Sequence, residues 1–455
     1  MRLTDNQLIS LFTDRLGTDC VIPFDQLSFQ GQHLTQRITQ SLTPDSLQPT
    51  CAIFPNTIAQ LSEAIALAHE QRLRVLPSGN ATKLDWGGLV SRADLVISTS
   101  RLNQIVEHCV GDLTVTAEAG TKYQDLQATL AKAGQFLAIN PPYATQATLG
   151  GILATGSAGS WRHRYNSVRD MCLGIEFVRS DGAVVKAGGR VVKNVAGYDL
   201  MKLLTGSYGT LGVVSQITFR LYPLPEYTQV VVMTGDSKNI AQAHQKISTS
   251  VLTPMVCDLL SAKAIAALGF GDDLTNIGLV LQFSGLKSSA IEQSDRIASL
   301  AKELDLSFEV LTDYEQFWQN LKKILWHDEL RHDDSQNLYL VCKLGVLPSE
   351  AIATLQQCQQ IFAETSFSAI QIHMGSGLGL LRVDDIQDLN AIASQITKIR
   401  NIVESHSGFL MVLEAPLDVK FNANIWGYTG QASDLMRQLQ QKFDPNGLLS
   451  PNKMF

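Results

Sequence analysis

The chain lacks clustered cysteines. Its seven cysteines form an odd and dispersed set in which no two make a C-x-x-C pair. Because structural zinc and iron–sulfur clusters require clustered thiolates, the sequence predicts neither kind of site. Free cysteine commonly behaves as a small hydrophobic residue, so we expect buried, reduced thiols. The seven are Cys20, Cys51, Cys109, Cys172, Cys257, Cys342 and Cys358.

A basic excess and a long apolar run are also missing. The formal net charge is -7, which argues against nucleic acid, where a basic stripe is expected. No apolar run approaches the roughly 18 residues of a membrane-spanning helix. The start MRLTDNQLISLF has no basic segment followed by an apolar stretch and a cleavage site, so secretion is not expected. We expect a cytoplasmic protein that reaches a membrane surface, if at all, through partner subunits.

The length of 455 residues predicts two or three domains rather than one core. Residues 1–48 form a polar N-terminal lead. An α+β domain follows over residues 49–226, and a second α+β domain covers residues 227–428. Residues 429–455 form a C-terminal helix and a tail that we expect to dock back on the first domain.

The first domain opens with a strand, a helix and a strand. CAIF is a buried strand, Asn56 or Thr57 caps the following helix, and LRVLP is the next strand. This order within about thirty residues is the size of a βαβ unit. It delivers the chain into a loop over residues 77–82.

The second domain repeats one pattern. Strands and helices follow the order βαββαβ between residues 228 and 312, and the same order returns between residues 338 and 414 after an interposed helix. This is the ferredoxin-like split unit twice over. We expect the two units to join at their edges into one larger antiparallel sheet with helices on one face.

Three short segments bring glycine to positions where backbone can approach a ligand closely. They are PSGNAT at residues 77–82, ATLGGILATG at 147–156 and GSYGTLGVV at 206–214. PSGNAT offers successive N–H groups suited to a pyrophosphate, although a plain turn is the simpler explanation of this segment taken alone. It is neither a Walker loop nor a Rossmann fingerprint. The order and spacing of all three segments together are more specific than any one.

Six strings carry a resemblance to a known family: PSGNAT, DLTVTAEAGT, PPYATQATLGGILATG, RDMCLGIEFV, GGRVVKNVAGYDLMKLLTGSYGTLGVV and FDPNGLLSPNKM. Together they resemble the FAD-linked oxidase family, the vanillyl-alcohol-oxidase-like flavoproteins with a PCMH-type FAD domain. Within that family, GGRVVKNVAGYDLMKL is most similar to the FAD-binding E subunits of glycolate oxidases (glycolate dehydrogenases). The resemblance is specific over residues 50–225 and looser elsewhere.

The resemblance implies an α+β fold, in which a PCMH-type FAD-binding domain of two α/β subdomains precedes the domain of two ferredoxin-like units. It implies that the loop at 77–82 holds the FAD pyrophosphate and that the two later segments line the rest of the dinucleotide. The implied cofactor residues are Pro77, Ser78, Gly79, Asn80, Ala81, Thr82, Pro142, Ala147, Thr148, Gly150, Gly151, Ala154, Thr155, Gly209, Thr210, Gly212, Val213 and Asn452.

The same comparison predicts that FAD is held non-covalently. Relatives that tether the flavin do so through a histidine in the first loop, and this chain has no histidine between Val75 and Leu84. Asn80 stands where glycine is common, and we expect Asn80 to take the left-handed backbone conformation because asparagine tolerates positive φ. The pyrophosphate would be met mainly by backbone dipoles, so a basic cluster is not required.

The sequence alone does not assign the catalytic residues. Oxidation of a 2-hydroxy acid requires a cation for the carboxylate and a base for the hydroxyl proton. WRHRY is equally explained as a solvated basic loop. The main candidates are Arg162, Tyr165, Asn194, Tyr198, His373 and Arg382. Further ones are His163, Arg164, Arg190, Lys193 and Lys453, together with Asn452.

A metal site is not expected at His373. Catalytic relatives carry a motif of the type H-x-G-D-G-N-x-H, whereas HMGSGLGLLR at residues 373–382 keeps the glycine spacing and lacks the other ligands. One imidazole without partners is a poor metal site. An ordinary strand residue is the simpler interpretation of His373. The absence of the other metal ligands favours an auxiliary FAD subunit over an independent dehydrogenase.

Three hypotheses follow for function. The first is an FAD-binding subunit of a glycolate-oxidising complex that passes electrons to a separate iron–sulfur subunit beside a catalytic FAD subunit. The second is a self-sufficient FAD-dependent dehydrogenase of another small hydroxy acid or sugar acid, with WRHRY and Arg382 binding substrate. The third is an FAD-binding assembly subunit without turnover of its own.

Overall fold

A computed structural model describes residues 3–30, 32–190, 197–271, 273–326, 338–363, 365, 367–386, 389–427 and 430–454. The chain divides into two compact units. Unit 1 comprises Met1–Ala158, Ser167–Leu224 and Tyr428–Phe455, and unit 2 comprises Gly159–Asn166 and Pro225–Gly427. Residues 159–166 therefore belong to unit 2, although the sequence pattern predicts one continuous domain over residues 49–226.

Unit 1 alternates short strands and helices. Its helices are α1 (Asp5–Leu16), α2 (Gln32–Gln40), α3 (Ile58–Glu70), α4 (Tyr123–Ala131), α5 (Leu149–Thr155), α7 (Val168–Met171), α8 (Leu200–Leu204) and α16 (Gly430–Phe443). Its strands are β1 (Val21–Pro23), β2 (Cys51–Ile53), β3 (Val75–Ser78), β4 (Leu95–Ser98), β5 (Ile105–Cys109), β6 (Thr114–Glu118), β7 (Gln135–Phe136), β8 (Cys172–Val178), β9 (Val184–Gly188), β10 (Val213–Arg220) and β11 (Tyr222–Pro223). A 3-10 helix covers Phe24–Gln30.

Unit 1 contains two main sheets. The first has the order β1-β2-β4-β3, with β4 parallel to both β2 and β3. The second is antiparallel, with the order β5-β6-β10-β8-β9. Thr57 caps α3 by accepting a bond from the Gln60 amide, and the helix buries Leu61 and Ile65 against the first sheet. A βαβ unit thus leads directly into the loop after β3, as predicted.

The N-terminal lead is more regular than its composition indicates. Thr4 caps α1 in a capping box, and α1 buries Leu8, Phe12 and Leu16 in the core that covers the first sheet. β1 adds an edge strand to that sheet by pairing antiparallel with β2. The lead therefore contributes to the core of unit 1 and does not simply lie on its surface.

The C-terminal tail also joins the first sheet. The Val75 amide donates to the Leu448 carbonyl at 2.8 Å, and the Ser450 amide donates to the Val75 carbonyl at 2.9 Å. Leu448 and Leu449 are buried in the core of unit 1. The Asp444 carboxylate accepts the Leu449 amide at 2.7 Å and so shapes the turn that precedes this pairing.

Unit 2 is built on one antiparallel sheet. Its strands are β12 (Tyr227–Gly235), β13 (Val256–Leu260), β14 (Ile277–Gly285), β15 (Ser307–Val310), β16 (Leu338–Gly345), β17 (Phe367–His373), β18 (Leu378–Ile386) and β19 (Phe409–Glu414). Its helices are α6 (Arg162–Tyr165), α9 (Ser237–Ser248), α10 (Ala262–Ala267), α11 (Lys287–Glu303), α12 (Tyr314–Leu325), α13 (Ala351–Ile361), α14 (Leu389–Ser405) and α15 (Leu417–Asn422).

The sheet of unit 2 has the order β15-β12-β14-β13-β17-β18-β16-β19. Two βαββαβ units meet where β13 pairs with β17, so the predicted edge-to-edge joining is confirmed. α9, α11, α13 and α14 pack their apolar side chains on one face of this sheet. The short helix α10 interrupts the first unit and was not predicted.

Polar side chains occupy the other face near the joint. Cys257, Leu259 and Ile372 point into the helix-covered core, so Asp258 and His373 point away from it because side chains alternate along a strand.

The thiols are reduced and mostly buried. All seven cysteines are free, and six of them are buried. Burial raises the pKa of Cys51 and that of Cys172 to about 12, so neither thiol is a ready nucleophile at neutral pH.

Candidate functional site

A glycine-lined cleft lies within unit 1 and has a cavity volume of about 100 Å³. Its lining residues, and not its enclosed volume, indicate which ligand it would hold. Fourteen of the predicted cofactor residues line it: Pro77, Ser78, Gly79, Asn80, Ala81, Thr82, Thr148, Gly150, Gly151, Ala154, Thr155, Gly209, Gly212 and Val213. Three segments that are far apart in sequence thus form one surface.

The loop after β3 forms the first wall of the cleft. The Ser98 hydroxyl donates to the Gly79 carbonyl at 3.0 Å and fixes the point at which the chain leaves the sheet. The left-handed backbone conformation occurs at Ala81, with φ +58°. The prediction that Asn80 adopts it is wrong. Asn80 instead donates from its side-chain amide to the Gln146 carbonyl at 2.8 Å and ties the loop to the second wall.

The start of α5 forms the second wall. Thr148 caps this helix by accepting a bond from the Gly151 amide. The backbone of Gly79 approaches Thr148 so closely that a Cβ at residue 79 would overlap the Thr148 Oγ1 and would lie 3.1 Å from its Cγ2. A Cβ at Gly150 would lie 2.9 Å from the Cβ of Ala119. Glycine is required at both positions by close packing.

The segment that leads into β10 forms the third wall. The Tyr208 amide donates to the Ala154 carbonyl at 2.9 Å, which holds this wall against α5. Gly209 has φ +74°, where glycine has no steric cost. A Cβ at Gly212 would lie 2.6 Å from the Phe177 ring, so the chain can enter β10 only without a side chain.

The cleft contains residues that the sequence analysis did not assign to it. Two lysines, Lys83 and Lys453, line it and are nearly buried. The Lys83 ammonium lies 5.9 Å from the centre of the Trp86 ring, and the Lys453 ammonium donates to the Leu84 carbonyl at 2.8 Å. Positive charge therefore supplements the backbone dipoles. The other additional lining residues are Leu76, Leu84, Thr99, Ser207, Tyr208, Val214 and Ser450.

Four predicted cofactor residues lie outside the lining. Thr210 donates its hydroxyl to the Ser207 carbonyl at 2.7 Å, so its side chain stabilises the turn of the third wall. Ala147 accepts the Tyr123 amide through its carbonyl. Asn452, with φ +62°, lies in the tail between lining residues Ser450 and Lys453. Pro142 is buried and precedes the second wall in sequence.

The lining of this cleft fits an FAD dinucleotide. Glycine backbone on two walls leaves no Cβ that would obstruct a flat, elongated ligand. Lys83 and Lys453, which line the cleft together with the loop at 77–82, would supply cations for a pyrophosphate. Neither histidine nor cysteine occurs among the described lining residues, so the cleft itself contains no side chain of the types that tether a flavin.

Several catalytic candidates are exposed, engaged in structural bonds or outside the described residues. Asn194 and Lys193 lie outside the described residues. Tyr198 is 90% exposed. Arg382 forms a two-pronged ion pair with Asp384, with nitrogen–oxygen distances of 2.8 and 2.7 Å. It also donates to the Lys323 and Ile324 carbonyls at the end of α12, which occupies the guanidinium in structural bonds.

The WRHRY segment packs within unit 2. Arg162, His163 and Tyr165 form the short helix α6, which contacts β13. Arg164 donates to the Thr253 carbonyl and its guanidinium lies 5.9 Å from the Tyr165 ring. This segment is therefore not a solvated loop.

A polar cluster surrounds Asp258 in unit 2. Asp258 and His373 are cross-strand partners on β13 and β17, and the Nδ1 of His373 lies 2.6 Å from the Asp258 Oδ1. The Gln371 side-chain amide donates to the Asp258 Oδ2 at 2.7 Å and to the Ser160 hydroxyl at 3.2 Å. Asp258 is fully buried, so the fold retains a carboxylate where apolar residues are usual.

Two basic groups of unit 2 have altered acidity. Burial lowers the pKa of His163 below its usual value; the Asp258 charge opposes this shift and His373 adds to it. Burial, with a contribution from the Arg162 charge, lowers the pKa of Lys343 to about 8. Both side chains are therefore poorly solvated in their charged forms.

Metal and membrane features do not emerge from the described residues. Within them, no group of three or more histidine, cysteine, aspartate or glutamate side chains is arranged to hold a metal ion. In the same part of the chain, no helix is long and apolar enough to cross a membrane.

Comparison with known proteins identifies the cofactor domain. Residues 49–188 match the family model of an FAD binding domain. The chain carries an FAD-binding domain. That match covers the first and second walls of the cleft, while the third wall and the tail lie beyond it.

Relatives extend over most of the chain. The glycolate oxidase subunit GlcD of Bacillus subtilis (strain 168) is 25% identical over 437 residues, which cover 90% of this chain and 89% of that protein. The glycolate oxidase subunit GlcE of Escherichia coli (strain K12) is 28% identical over 404 residues, which cover 87% of this chain and 96% of that protein. The mitochondrial D-lactate dehydrogenase (cytochrome) of Arabidopsis thaliana is 29% identical over 330 residues, and the match spans 70% of this chain and 56% of that protein.

The fold is also shared with solved flavoenzymes. The crystal structure of p-cresol methylhydroxylase with substrate bound has a TM-score of 0.74 at 13% sequence identity, over 98% of this chain and 96% of that chain. The resemblance to PCMH-type flavoproteins is thereby confirmed at the level of fold. The homologues are FAD-dependent oxidoreductases of the glycolate oxidase type, named for glycolate, lactate and 2-hydroxyglutarate.

Proposed function

We propose that this chain is an FAD-dependent oxidoreductase subunit that oxidises a small 2-hydroxy acid, with glycolate as the first candidate. The observation that carries the proposal is the cleft of unit 1, where three glycine-bearing walls and two buried lysines meet. The substrate class follows from the relatives, two of which are named as glycolate oxidase subunits.

FAD, when bound, supplies the acceptor for the hydride that leaves the substrate carbon. The chain's part in the cleft is to bind and orient the dinucleotide. The loop at 77–82 and the ammonium groups of Lys83 and Lys453 would hold the pyrophosphate, and Gly150, Gly209 and Gly212 would leave room beside it. Because no histidine or cysteine occurs among the described lining residues, we propose that FAD is held non-covalently.

The electron acceptor in this proposal is a separate iron–sulfur subunit. Cluster ligation requires several thiolates close together. The seven cysteines of this chain are dispersed, and six of them are buried as thiols. A partner must then carry the cluster, and a second, catalytic FAD subunit is the other expected member of the complex. We place the assembly in the cytoplasm or at a membrane surface through its partners.

Purification of the native protein with whatever accompanies it tests this proposal. We expect a yellow protein whose flavin is released by acid precipitation of the polypeptide, and whose absorbance near 450 nm bleaches when glycolate is added anaerobically. D-lactate and D-2-hydroxyglutarate, added in parallel, define the substrate. Iron and acid-labile sulfide should co-purify with a second polypeptide and not with this chain.

Each outcome separates the hypotheses. A colourless protein that ignores added FAD would refute the cofactor assignment. A flavin that stays attached to the denatured polypeptide would refute non-covalent binding. If D-lactate alone bleaches the flavin of the isolated chain, a self-sufficient dehydrogenase is favoured. If the complex still turns over after this chain has lost its flavin, an assembly subunit is favoured.

A further inference from the structure

The C-terminal tail lies where two walls of the unit 1 cleft meet. We call residues 444–454 the tail segment; its Ser450 and Lys453 line the cleft. A Cβ at Gly209, in the third wall, would lie 3.5 Å from the Cβ of Pro77 and 3.8 Å from the Oγ of Ser450. Ser450 therefore lies at the junction of the first wall with the third.

The tail segment holds the first wall on both sides of the loop at 77–82. Before the loop, Val75 donates one backbone hydrogen bond to residues 448–450 and accepts another from them. After the loop, the Leu84 carbonyl accepts from the Lys453 ammonium at 2.8 Å. Release of the tail would therefore remove a partner at each end of the loop and would carry Lys453 out of the cleft.

The docked conformation of the tail carries local strain. Ser450 and Asn452 have φ +44° and +62°, in the left-handed region that residues other than glycine seldom adopt. Such conformations persist only where the surrounding structure holds them. The Oδ1 of Asp444 is buried without a hydrogen-bond partner in the described part of the chain, which also opposes docking. These effects offset part of the stabilisation that the bonds to β3 provide, so docking responds to a further favourable contact.

Docking of the tail also brings a second cation into the cleft. Lys83 and Lys453 both line it and are both nearly buried. Like charges in one poorly solvated site disfavour each other, whereas a bound anion stabilises both. A pyrophosphate therefore interacts more favourably with the cleft when the tail is docked than when it is released. A ligand with such a difference in affinity shifts the protein towards the docked state.

We propose that the tail segment is a latch for FAD: FAD binds the docked state more tightly than the released state, and bound FAD keeps the tail docked. The inference rests on the FAD site of the proposed function and assigns retention of the cofactor to the last residues of the chain. Because coupling between two binding equilibria is reciprocal, docking raises the affinity for FAD by the same factor by which FAD stabilises docking.

Hydrogen exchange of the full-length protein, with and without saturating FAD, tests the latch. In the docked tail the Ser450 amide is bonded to the Val75 carbonyl. The Phe54 amide, bonded to the Cys20 carbonyl beside β1 and β2, is the reference because neither residue is among the described lining residues of the cleft. We expect FAD to slow exchange at Ser450 about tenfold more than at Phe54. Equal slowing at both amides, or none at Ser450, overturns the proposal.

Lys453→Met distinguishes a latch from a tail that only packs against the sheet. Methionine nearly preserves the length of the side chain and removes its charge, so we expect the tail to dock in the FAD-free protein. The dissociation constant for FAD should rise about 10- to 100-fold, and saturating FAD should lose most of its effect on exchange at Ser450. Lys442→Met, on the exposed side of α16 just before the tail segment, is the matched control and should behave as wild type. Full protection by FAD in Lys453→Met would overturn the coupling.

Leu449→Ala tests the reverse direction of the coupling. Leu449 is buried in the core of unit 1 and is not among the described lining residues, so its loss weakens docking without removing a side chain from the cleft. We expect the dissociation constant for FAD to rise about tenfold, and Leu449→Met, which nearly conserves volume, to bind FAD as wild type does. Wild-type affinity in a folded Leu449→Ala protein with a rapidly exchanging tail would refute the latch. If Leu449→Ala does not fold, Lys453→Met decides the question.

These measurements need no substrate, which keeps the inference separate from the proposed function. If titration followed by flavin fluorescence detects no FAD binding, the cofactor assignment fails and the latch fails with it. If FAD binds and slows exchange in the tail but no hydroxy acid bleaches the flavin, the latch stands and the substrate assignment fails. If FAD binds while the tail exchanges as in the FAD-free protein, the latch alone is overturned.

Discussion

The backbone of Gly79 lies directly against the capping residue Thr148. A Cβ at residue 79 would meet three atoms of the Thr148 side chain, with Cγ2 and Cβ at 3.1 and 3.2 Å behind the overlapping Oγ1. Rotation of the threonine cannot relieve all three contacts at once. A methyl group at residue 79 would therefore push apart the first two walls of the unit 1 cleft.

Gly79→Ala should weaken FAD binding through this contact. Overpacking of a close-packed position costs about 1–3 kcal/mol, and a loss of that size in binding would raise the dissociation constant for FAD about 5- to 150-fold. Titration of the apoprotein with FAD, followed by flavin fluorescence, measures the change. Gly111→Ala is the control because a Cβ there meets no atom within 4 Å. Equal affinity in the two variants would contradict the contact.

Leu449→Ala should destabilise unit 1. Leu449 is fully buried beside β3, and removal of a buried leucine side chain costs about 2–5 kcal/mol. Leu435→Ala is the matched control, because Leu435 on α16 is 59% exposed and its loss should change stability by less than about 0.5 kcal/mol. Urea unfolding monitored in the two variants distinguishes a docked tail from one that only lies on the surface.

Arg382→Lys should reduce stability without changing substrate affinity. Lysine cannot reproduce the two-pronged pair with Asp384 while also reaching the α12 carbonyls. We expect a loss of about 1–3 kcal/mol in the free energy of unfolding and an unchanged KM for the hydroxy acid. A large increase in KM at unchanged stability would restore Arg382 as a substrate-binding residue.

Lys343→Met should stabilise the protein most at neutral pH. The pKa of Lys343 is about 8 in the folded protein, which is below its value in the unfolded chain. At a pH between the two pKa values, the unfolded chain therefore binds more protons than the folded protein. The stability of the wild-type protein rises with pH over that range. The advantage of methionine, about 1–3 kcal/mol at pH 7, should disappear as the pH approaches 10. Chemical unfolding at both pH values tests this, with the exposed Lys302→Met as control.

Local patterns in the sequence predicted the elements of this fold well. The helix at Gly430–Phe443, the double βαββαβ order and the three glycine-bearing segments all follow from periodicity, turn residues or resemblance. Their convergence on one cleft was implied by the resemblance, because no local pattern relates segments so far apart in the sequence.

Contacts between distant residues could not be read in the same way. The pairing of Asp258 with His373 joins residues 115 positions apart, and neither neighbourhood has a motif that names the other. WRHRY has the composition of a solvated loop, and only tertiary packing places His163 beside Gly375. The sequence around Asn80 likewise indicates neither its bond to Gln146 nor the left-handed conformation at Ala81.

The pairing of β3 with residues 448–450 has a consequence for biosynthesis. Both segments of unit 2 precede the last part of unit 1 in the chain, so Ser450 and Lys453, which the tail contributes to the cleft, are translated only after the whole of unit 2. The nascent chain must keep an incomplete first sheet, with the side of β3 that receives the tail uncovered, until that synthesis is done. The lining of the cleft is therefore completed only after unit 2 has been synthesised, and we expect a protease cut in the tail to weaken retention of a cofactor bound there.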